Sequence, residues 1–224
     1  LLVALRRKGV REAMMLGFTA GLVFHVGILY WITYVIVKYG SLSLTLGVAA
    51  MLLLCAYLSV YTALFAAGCV FFRKGAPLIA LPVLWTGLEC IRGWILTGFP
   101  WEALAYSQYR FLTLIQIVDI TGTAGLTFLI VLVNVLLFQA LTMKRATRRI
   151  GSIVAIAVVF SLLAGYGTWR LGDVRDGMAK APFLPVSLIQ GNIDQNLKWD
   201  PAYQSETVDA YLTQSRRHLP PPGG

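Results

Sequence analysis

Two charged residues stand inside an otherwise apolar segment and are the first candidates for chemistry. Glu89 and Arg92 lie three positions apart, so they share one face of a helix. Ionisable groups within a membrane are costly to bury, usually face the interior of a helix bundle and pair with each other. Two interpretations follow. The residues form a structural ion pair that locks this helix to its neighbours, or they support a polar cavity where a lipid head group or a catalytic loop docks.

The second candidate is the aromatic stretch 98–108, Gly-Phe-Pro-Trp-Glu-Ala-Leu-Ala-Tyr-Ser-Gln. Trp and Tyr prefer the membrane–water interface, and Gly98 and Pro100 favour a turn that brings the chain back along the surface. The residues leave two interpretations open. One is an aromatic belt on a re-entrant or surface-lying loop, and the other is an arm that forms one wall of a site where lipid enters.

Nucleophiles and metal ligands are sparse in the rest of the chain. Cys55, Cys69 and Cys90 all lie in apolar runs without the spacing of a metal site or a disulfide framework, which predicts structural roles. His25 stands alone in an apolar segment, and the other histidine, His218, is near the carboxyl end. A lone histidine of this kind favours a hydrogen-bonded packing role. The sequence predicts neither a metal site nor a cofactor.

Composition indicates that lipid is the main solvent of this chain. Of its 224 residues 58% are apolar and 13% charged, with a mean hydropathy of +0.72, whereas soluble domains are about 45–50% apolar and about 25% charged. Since a spanning helix needs about 20 apolar residues, the sequence predicts a polytopic α-helical membrane protein. About five spans are expected, near residues 14–37, 43–72, 77–97, 123–142 and 151–169.

The positions of Lys and Arg predict the orientation of these spans. Basic clusters precede the first predicted span, separate the second from the third, and separate the fourth from the fifth: residues 6–11, 73–74 and 144–149. These alternate loops share one side, which is the cytoplasm by the positive-inside rule. The net charge of +9 is therefore mostly a topology signal rather than a sign of nucleic-acid binding. The loop 98–122 and the residues after Arg170 are expected outside the cytoplasm.

The carboxyl-terminal part reads as the opening of a soluble domain. We expect a transmembrane domain over 1–172, a polar linker over 173–183, and the start of a second domain over 184–224. Within it, residues 184–190 are strand-like, and Asp200 before Pro201 predicts the N-cap of a helix. Strand, turn and helix form the first unit of an α/β domain, and one such unit cannot bury a core.

Several of these blocks together resemble the bacterial apolipoprotein N-acyltransferases. The matching segments are Gly98-Phe99-Pro100-Trp101, Tyr106-Ser107-Gln108, Gln190-Gly191-Asn192-Ile193 and Lys198-Trp199, with the pattern Pro82, Trp85, Glu89, Arg92. The resemblance runs from about residue 11 to residue 211. Ala105 departs from it, because the family commonly has glycine before the tyrosine.

The resemblance implies an integral membrane enzyme with a nitrilase-like αββα domain on the periplasmic side of the bacterial inner membrane. Such enzymes take an acyl chain from a membrane phospholipid, hold it as a thioester on cysteine, and pass it to the α-amino group of a diacylated prolipoprotein. This is nucleophilic catalysis with a carboxylate base, and a lysine stabilises the oxyanion. The resemblance implies no cofactor and no nucleic-acid partner.

The resemblance also assigns roles to residues. It implies substrate-binding positions along the aromatic loop, on the third predicted span and at the edge of the soluble domain: Pro100, Trp101, Gln108, Glu89, Arg92 and Trp199. The family's catalytic Glu, Lys and Cys have no match here, and Cys90 cannot substitute because it is expected within a span. We therefore expect a truncated piece of the enzyme that is inactive alone. The alternative is a non-catalytic membrane scaffold or a transporter-like protein.

Overall fold

The computed structural model describes residues 1–184, 186–195, 197–198 and 200–218. It divides the chain into two compact units, residues 1–179 and 180–224. Helices dominate both units. In chain order they are α1 Val10–Leu29, α2 Trp31–Gly40, α3 Leu44–Phe71, α4 Pro77–Arg92, α5 Leu112–Ile115, α6 Val118–Thr142, α7 Ala146–Lys180 and α8 Gln204–His218.

Four helices of the described chain are long and apolar enough to cross a membrane, rather than the five predicted. They are α1, α3 together with its short 3-10 extension, α6 and α7. The segment predicted near 77–97 divides into α4, which has 16 residues and measures about 24 Å, and a 3-10 turn at Ile95–Thr97. The helix ends early because the chain folds back, and the N–H of Phe99 donates to the carbonyl of Arg92 at 2.9 Å.

Glycines allow α1 and α3 to pack closely. A Cβ on Gly17 would lie 2.6 Å from Ala66 Cβ and 2.7 Å from the carbonyl oxygen of Thr62, and one on Gly21 would overlap the Thr62 hydroxyl. These two glycines therefore allow the close contact between α1 and α3. Beside it, an apolar core joins α1, α3, α4 and α6, with members such as Ala13, Phe65, Leu81 and Val135.

The last long helix of the first unit, α7, contacts the amino-terminal end of α6. Gly122 in α6 adopts φ 64° and ψ −177° and interrupts the helix, so the regular part begins near the predicted position 123. The Tyr166 hydroxyl donates to Asp119 at 2.8 Å, and Arg170 Nε donates to the same carboxylate at 2.8 Å. Helix α7 continues to Lys180, through most of the stretch that the sequence predicts as a linker.

The second unit confirms the predicted helix but not the predicted strand. Asp200 accepts a hydrogen bond from the N–H of Ala202 at 2.9 Å, and a turn at Pro201–Tyr203 leads into α8. None of the described residues of 184–190 forms a strand, because a strand needs a neighbour for its backbone hydrogen bonds. The ring of Tyr211 packs on Gly191, where a Cβ would lie 2.7 Å from it.

Candidate functional site

Glu89 joins three elements near the carboxyl-terminal end of α4. Its Oε1 accepts from Trp85 Nε1 at 3.0 Å and from the backbone N–H of Leu104 at 2.8 Å. Its Oε2 accepts from the hydroxyl of Thr127, a buried residue of α6, at 2.9 Å. Hydrogen bonds to a carboxylate are the strong ones in proteins. One side chain therefore holds together α4, α6 and residues 98–108, which we call the outer loop.

Arg92 lies one turn further along the same face and holds the other side of the loop. Its side chain is buried, with 6% exposed, and its Nη2 donates to the carbonyl of Trp101 at 3.0 Å. Its Nε has no hydrogen-bond partner among the described residues. A buried guanidinium needs compensation by nearby acceptors or negative charge. Arg92 is therefore a cation fixed beneath the outer loop.

Glu89 and Arg92 share a helix face as predicted but do not form an ion pair with each other. None of the ion pairs of the described residues joins them, because each side chain turns to the loop instead. The docked partner is the chain's own segment 99–108. The mutual ion pair of the first interpretation is therefore not formed, although Glu89 does join α4 to its neighbours as that interpretation expected. The second interpretation, a polar cavity where a lipid head group or a catalytic loop docks, stays a prediction.

A cavity of about 260 Å³ lies beside these residues, between α1, α3 and α4. Most of its wall is apolar, with Phe24, Leu58 and Leu88 among its residues. His25, Glu89, Arg92, Tyr61 and Thr62 are also among the residues that line it. The cavity is thus a mostly apolar space that lies beside the side chains of Glu89 and Arg92.

None of the three predicted residues of the aromatic loop, Pro100, Trp101 and Gln108, lines this cavity. Trp101 stacks on Trp31, with ring centroids 5.6 Å apart, and is half exposed. Pro100 is exposed beside it. Gln108 donates to the hydroxyl of Ser107 and lines a different cavity, of about 180 Å³, between α6 and α7. The structure therefore joins Trp101 to Arg92 and separates Gln108 from them.

The sequence did not predict that Glu102 and His25 would lie in contact. Glu102 enters from the loop and lies beside His25 of α1, with 3.8 Å between Glu102 Oε2 and His25 Nε2. Burial raises the pKa of the Glu102 carboxyl, while the positive charge of Arg92 opposes that change. The available signal was an acidic residue in an apolar, aromatic loop together with a histidine in an apolar helix, since such residues are rare without a partner.

The remaining predicted residues add no chemistry to this site. Trp199 lies outside the described residues. All three cysteines are free, with Cys55 and Cys69 buried and Cys90 exposed on α4. The described part of the chain holds no group of three His, Cys, Asp or Glu side chains arranged for a metal ion.

The residues that build this site also lie within a match to a known protein family. The family described as "Apolipoprotein N-acyltransferase N-terminal domain" matches residues 1–136, which include α1 to α4 and the outer loop. An apolipoprotein N-acyltransferase of Geobacter metallireducens is 46% identical over 97% of this chain and 42% of its own length.

More distant relatives carry the same name. Those of Pasteurella multocida and Haemophilus influenzae are 31% and 34% identical, over 93% and 81% of this chain and over 40% and 34% of their own lengths. The chain therefore spans about two fifths or less of the curated relatives that it matches.

Proposed function

Because this chain belongs to the apolipoprotein N-acyltransferase family, we propose that it is the membrane part of a phospholipid-dependent acyltransferase. The complete enzyme transfers an acyl chain to the α-amino group of a diacylglyceryl-cysteine lipoprotein. The observation that carries the proposal is that the family match covers the residues that build the outer site: α1, α3 and α4 with the loop docked on Glu89 and Arg92.

The outer site suits a phospholipid in both composition and location. Apolar side chains line most of the 260 Å³ cavity, and Arg92, which is also among the lining residues, donates to the loop carbonyl of Trp101. Trp101 stacks on Trp31 at the start of α2 and remains half exposed, as aromatic residues at a membrane interface do. In this proposal Pro100 and Trp101 form the wall against which the donor lipid lies, and Gln108 contacts the lipid from the α6–α7 side.

The orientation and the carboxyl-terminal part complete the proposal. The basic loops face the cytoplasm of a bacterial inner membrane, and the outer loop and the second unit lie on the periplasmic side. In the second unit Asp200, the 3-10 turn and α8 open a nitrilase-like domain, in which Trp199 lines the active site. The acyl acceptor, a diacylated prolipoprotein, meets the donor at that domain.

We expect the purified 224-residue chain to transfer no acyl group by itself. The family resemblance places the catalytic Glu, Lys and Cys in a region that this chain does not match, and the chain spans 42% of the Geobacter metallireducens relative. The measurement is the conversion of a diacylated lipoprotein peptide to the triacylated form in phosphatidylethanolamine vesicles, followed by mass spectrometry. The complete relative serves as the positive control, and turnover by this chain above protein-free vesicles would contradict the proposed division of roles.

A further inference from the structure

His25 of α1 and Glu102 of the outer loop form a buried contact between two ionisable side chains. Their side chains are 3% and 10% exposed, and 3.8 Å separates Nε2 of the histidine from Oε2 of the glutamate. That distance brings the two groups together without forming a direct hydrogen bond. One residue belongs to α1 and the other to the outer loop, so the contact joins two elements that are far apart in sequence.

Polar atoms of this pair have no hydrogen-bond partners among the described residues. They are Nδ1 of His25 and both carboxylate oxygens of Glu102, and Nε of the nearby Arg92 is in the same condition. Burying a carboxylate that lacks hydrogen-bond partners costs free energy, and either protonation or a positively charged neighbour lowers that cost. The protonation state of the pair therefore determines how well it tolerates burial.

The backbone of the loop aims Glu102 inward. Glu102 adopts φ +62°, the left-handed region that a residue with a side chain rarely occupies. On one side the carbonyl of Trp101 accepts from Arg92, and on the other the N–H of Leu104 donates to Glu89. Strained residues persist where the surrounding structure fixes them, so the position of the carboxylate is a consequence of the docked loop.

The charged and titratable groups around the pair come from α3 and α4. Arg92 and Glu89 of α4 line the cavity with His25, as does Tyr61 of α3, and Cys55 of α3 interacts electrostatically with Glu102. Burial raises the pKa of Glu102 and Arg92 lowers it, with burial the larger effect. The carboxyl therefore keeps its proton to a higher pH than an exposed glutamate does.

We propose that the contact between His25 and Glu102 is a pH-dependent latch that holds the outer loop against α1. With Glu102 protonated, its neutral carboxyl tolerates burial beside the imidazole. Loss of that proton leaves a buried carboxylate, and since the cost of burial outweighs the attraction of Arg92, the loop is more readily exposed to water. This latch is a property of the membrane part and does not depend on acyl transfer.

The direction of the pH effect follows from linkage. Because the carboxyl pKa is raised when the loop is docked, the stabilisation is fully present below the ordinary pKa of glutamate and is lost as the pH rises through the raised value. The loop should therefore open more often at alkaline pH. Between the ordinary pKa of glutamate and the raised value, where the open loop has lost the proton and the docked loop keeps it, the opening equilibrium constant should increase by up to about tenfold per pH unit, and above the raised value it should level off.

Hydrogen–deuterium exchange of the 224-residue chain in phosphatidylethanolamine nanodiscs tests the latch. Exchange of peptides covering 99–108 is measured from about pH 6 to about pH 9 and corrected for the intrinsic pH dependence of amide exchange. The wild-type loop should lose protection as the pH rises. Glu102→Gln removes the titrating group but keeps its shape, so its loop should show no such rise. Glu12→Gln, which changes an exposed carboxylate of α1, should behave as the wild type does.

Three outcomes would overturn the proposal. The first is a wild-type loop whose corrected exchange does not change with pH, the second is a Glu102→Gln loop that responds as the wild type does, and the third concerns His25. Protection of α3 peptides reports whether Glu102→Gln has folded. His25→Gln tests the pair from the α1 side, and the exchange of its loop should change at a different pH from that of the wild type. An unchanged pH dependence in that variant also contradicts the latch.

Discussion

Replacing Glu89 by alanine is expected to cost about 3–5 kcal/mol of folding free energy. The substitution removes the acceptor of the Trp85 indole N–H, the Leu104 N–H and the Thr127 hydroxyl in one step. The hydroxyl can turn to a carbonyl of its own helix, but the indole and the backbone N–H of the docked loop have no alternative acceptor in place. The thermal midpoint in detergent, followed by circular dichroism, should fall by roughly 10 °C.

Two control variants separate this effect from a general loss of negative charge. Glu89→Gln keeps an oxygen for Trp85 and Leu104 and offers an N–H₂ group to Thr127, so we expect a loss below about 1 kcal/mol. Glu12→Ala removes an exposed carboxylate whose partner is Lys8 at 3.6 Å, and surface pairs contribute about 0–1 kcal/mol. If Glu89→Ala were no less stable than Glu12→Ala, Glu89 would not be the residue that holds the loop.

Gly17→Ala is expected to destabilise the first unit by about 1–3 kcal/mol. The new Cβ would lie 2.6 Å from Ala66 Cβ and 2.7 Å from the carbonyl oxygen of Thr62. Since one of these atoms belongs to the backbone of α3, no side-chain rotation can relieve the overlap, and α1 must move away from α3. The thermal midpoint should fall by roughly 2–8 °C.

Gly27→Ala is the matched control on the same helix. A Cβ at that position meets nothing within 4 Å, and alanine has a higher helix propensity than glycine by about 1 kcal/mol. Its thermal midpoint should therefore equal or exceed that of the wild type. Equal losses from the two substitutions would mean that α1 and α3 do not pack through Gly17.

Hydropathy predicted where most of the long helices lie, because lipid allows few other structures. The first predicted segment, 14–37, is an exception, since it runs past the end of α1 at Leu29 into α2. The predicted segments 43–72 and 123–142 correspond closely to α3 and to the regular part of α6. Hydropathy did not predict the early end of α4, since apolar residues continue to Ile95 and Leu96 beyond the helix. The end depends instead on the fold-back of the chain after Arg92, a tertiary contact.

The site was only partly predictable for a similar reason. The spacing of Glu89 and Arg92 correctly placed them on one helix face, but it could not show that both would bond to the loop rather than to each other. The approach of Glu102 to His25 depends on a positive φ within that loop, which no spacing rule predicts for glutamate. The strand expected near residues 184–190 failed because strand propensity is not sufficient without a pairing partner.

The central claim is that this chain supplies the membrane part of an apolipoprotein N-acyltransferase. A chimaera tests it most directly: residues 1–218 replace the corresponding part of the Geobacter metallireducens relative, which this chain matches at 46% identity. Acyl transfer from phosphatidylethanolamine to a diacylated lipoprotein peptide is then measured. We expect the chimaera to form the triacylated product, and the same chimaera with Glu89→Ala to lose most of that activity. A folded, membrane-inserted chimaera with no transfer would contradict the claim.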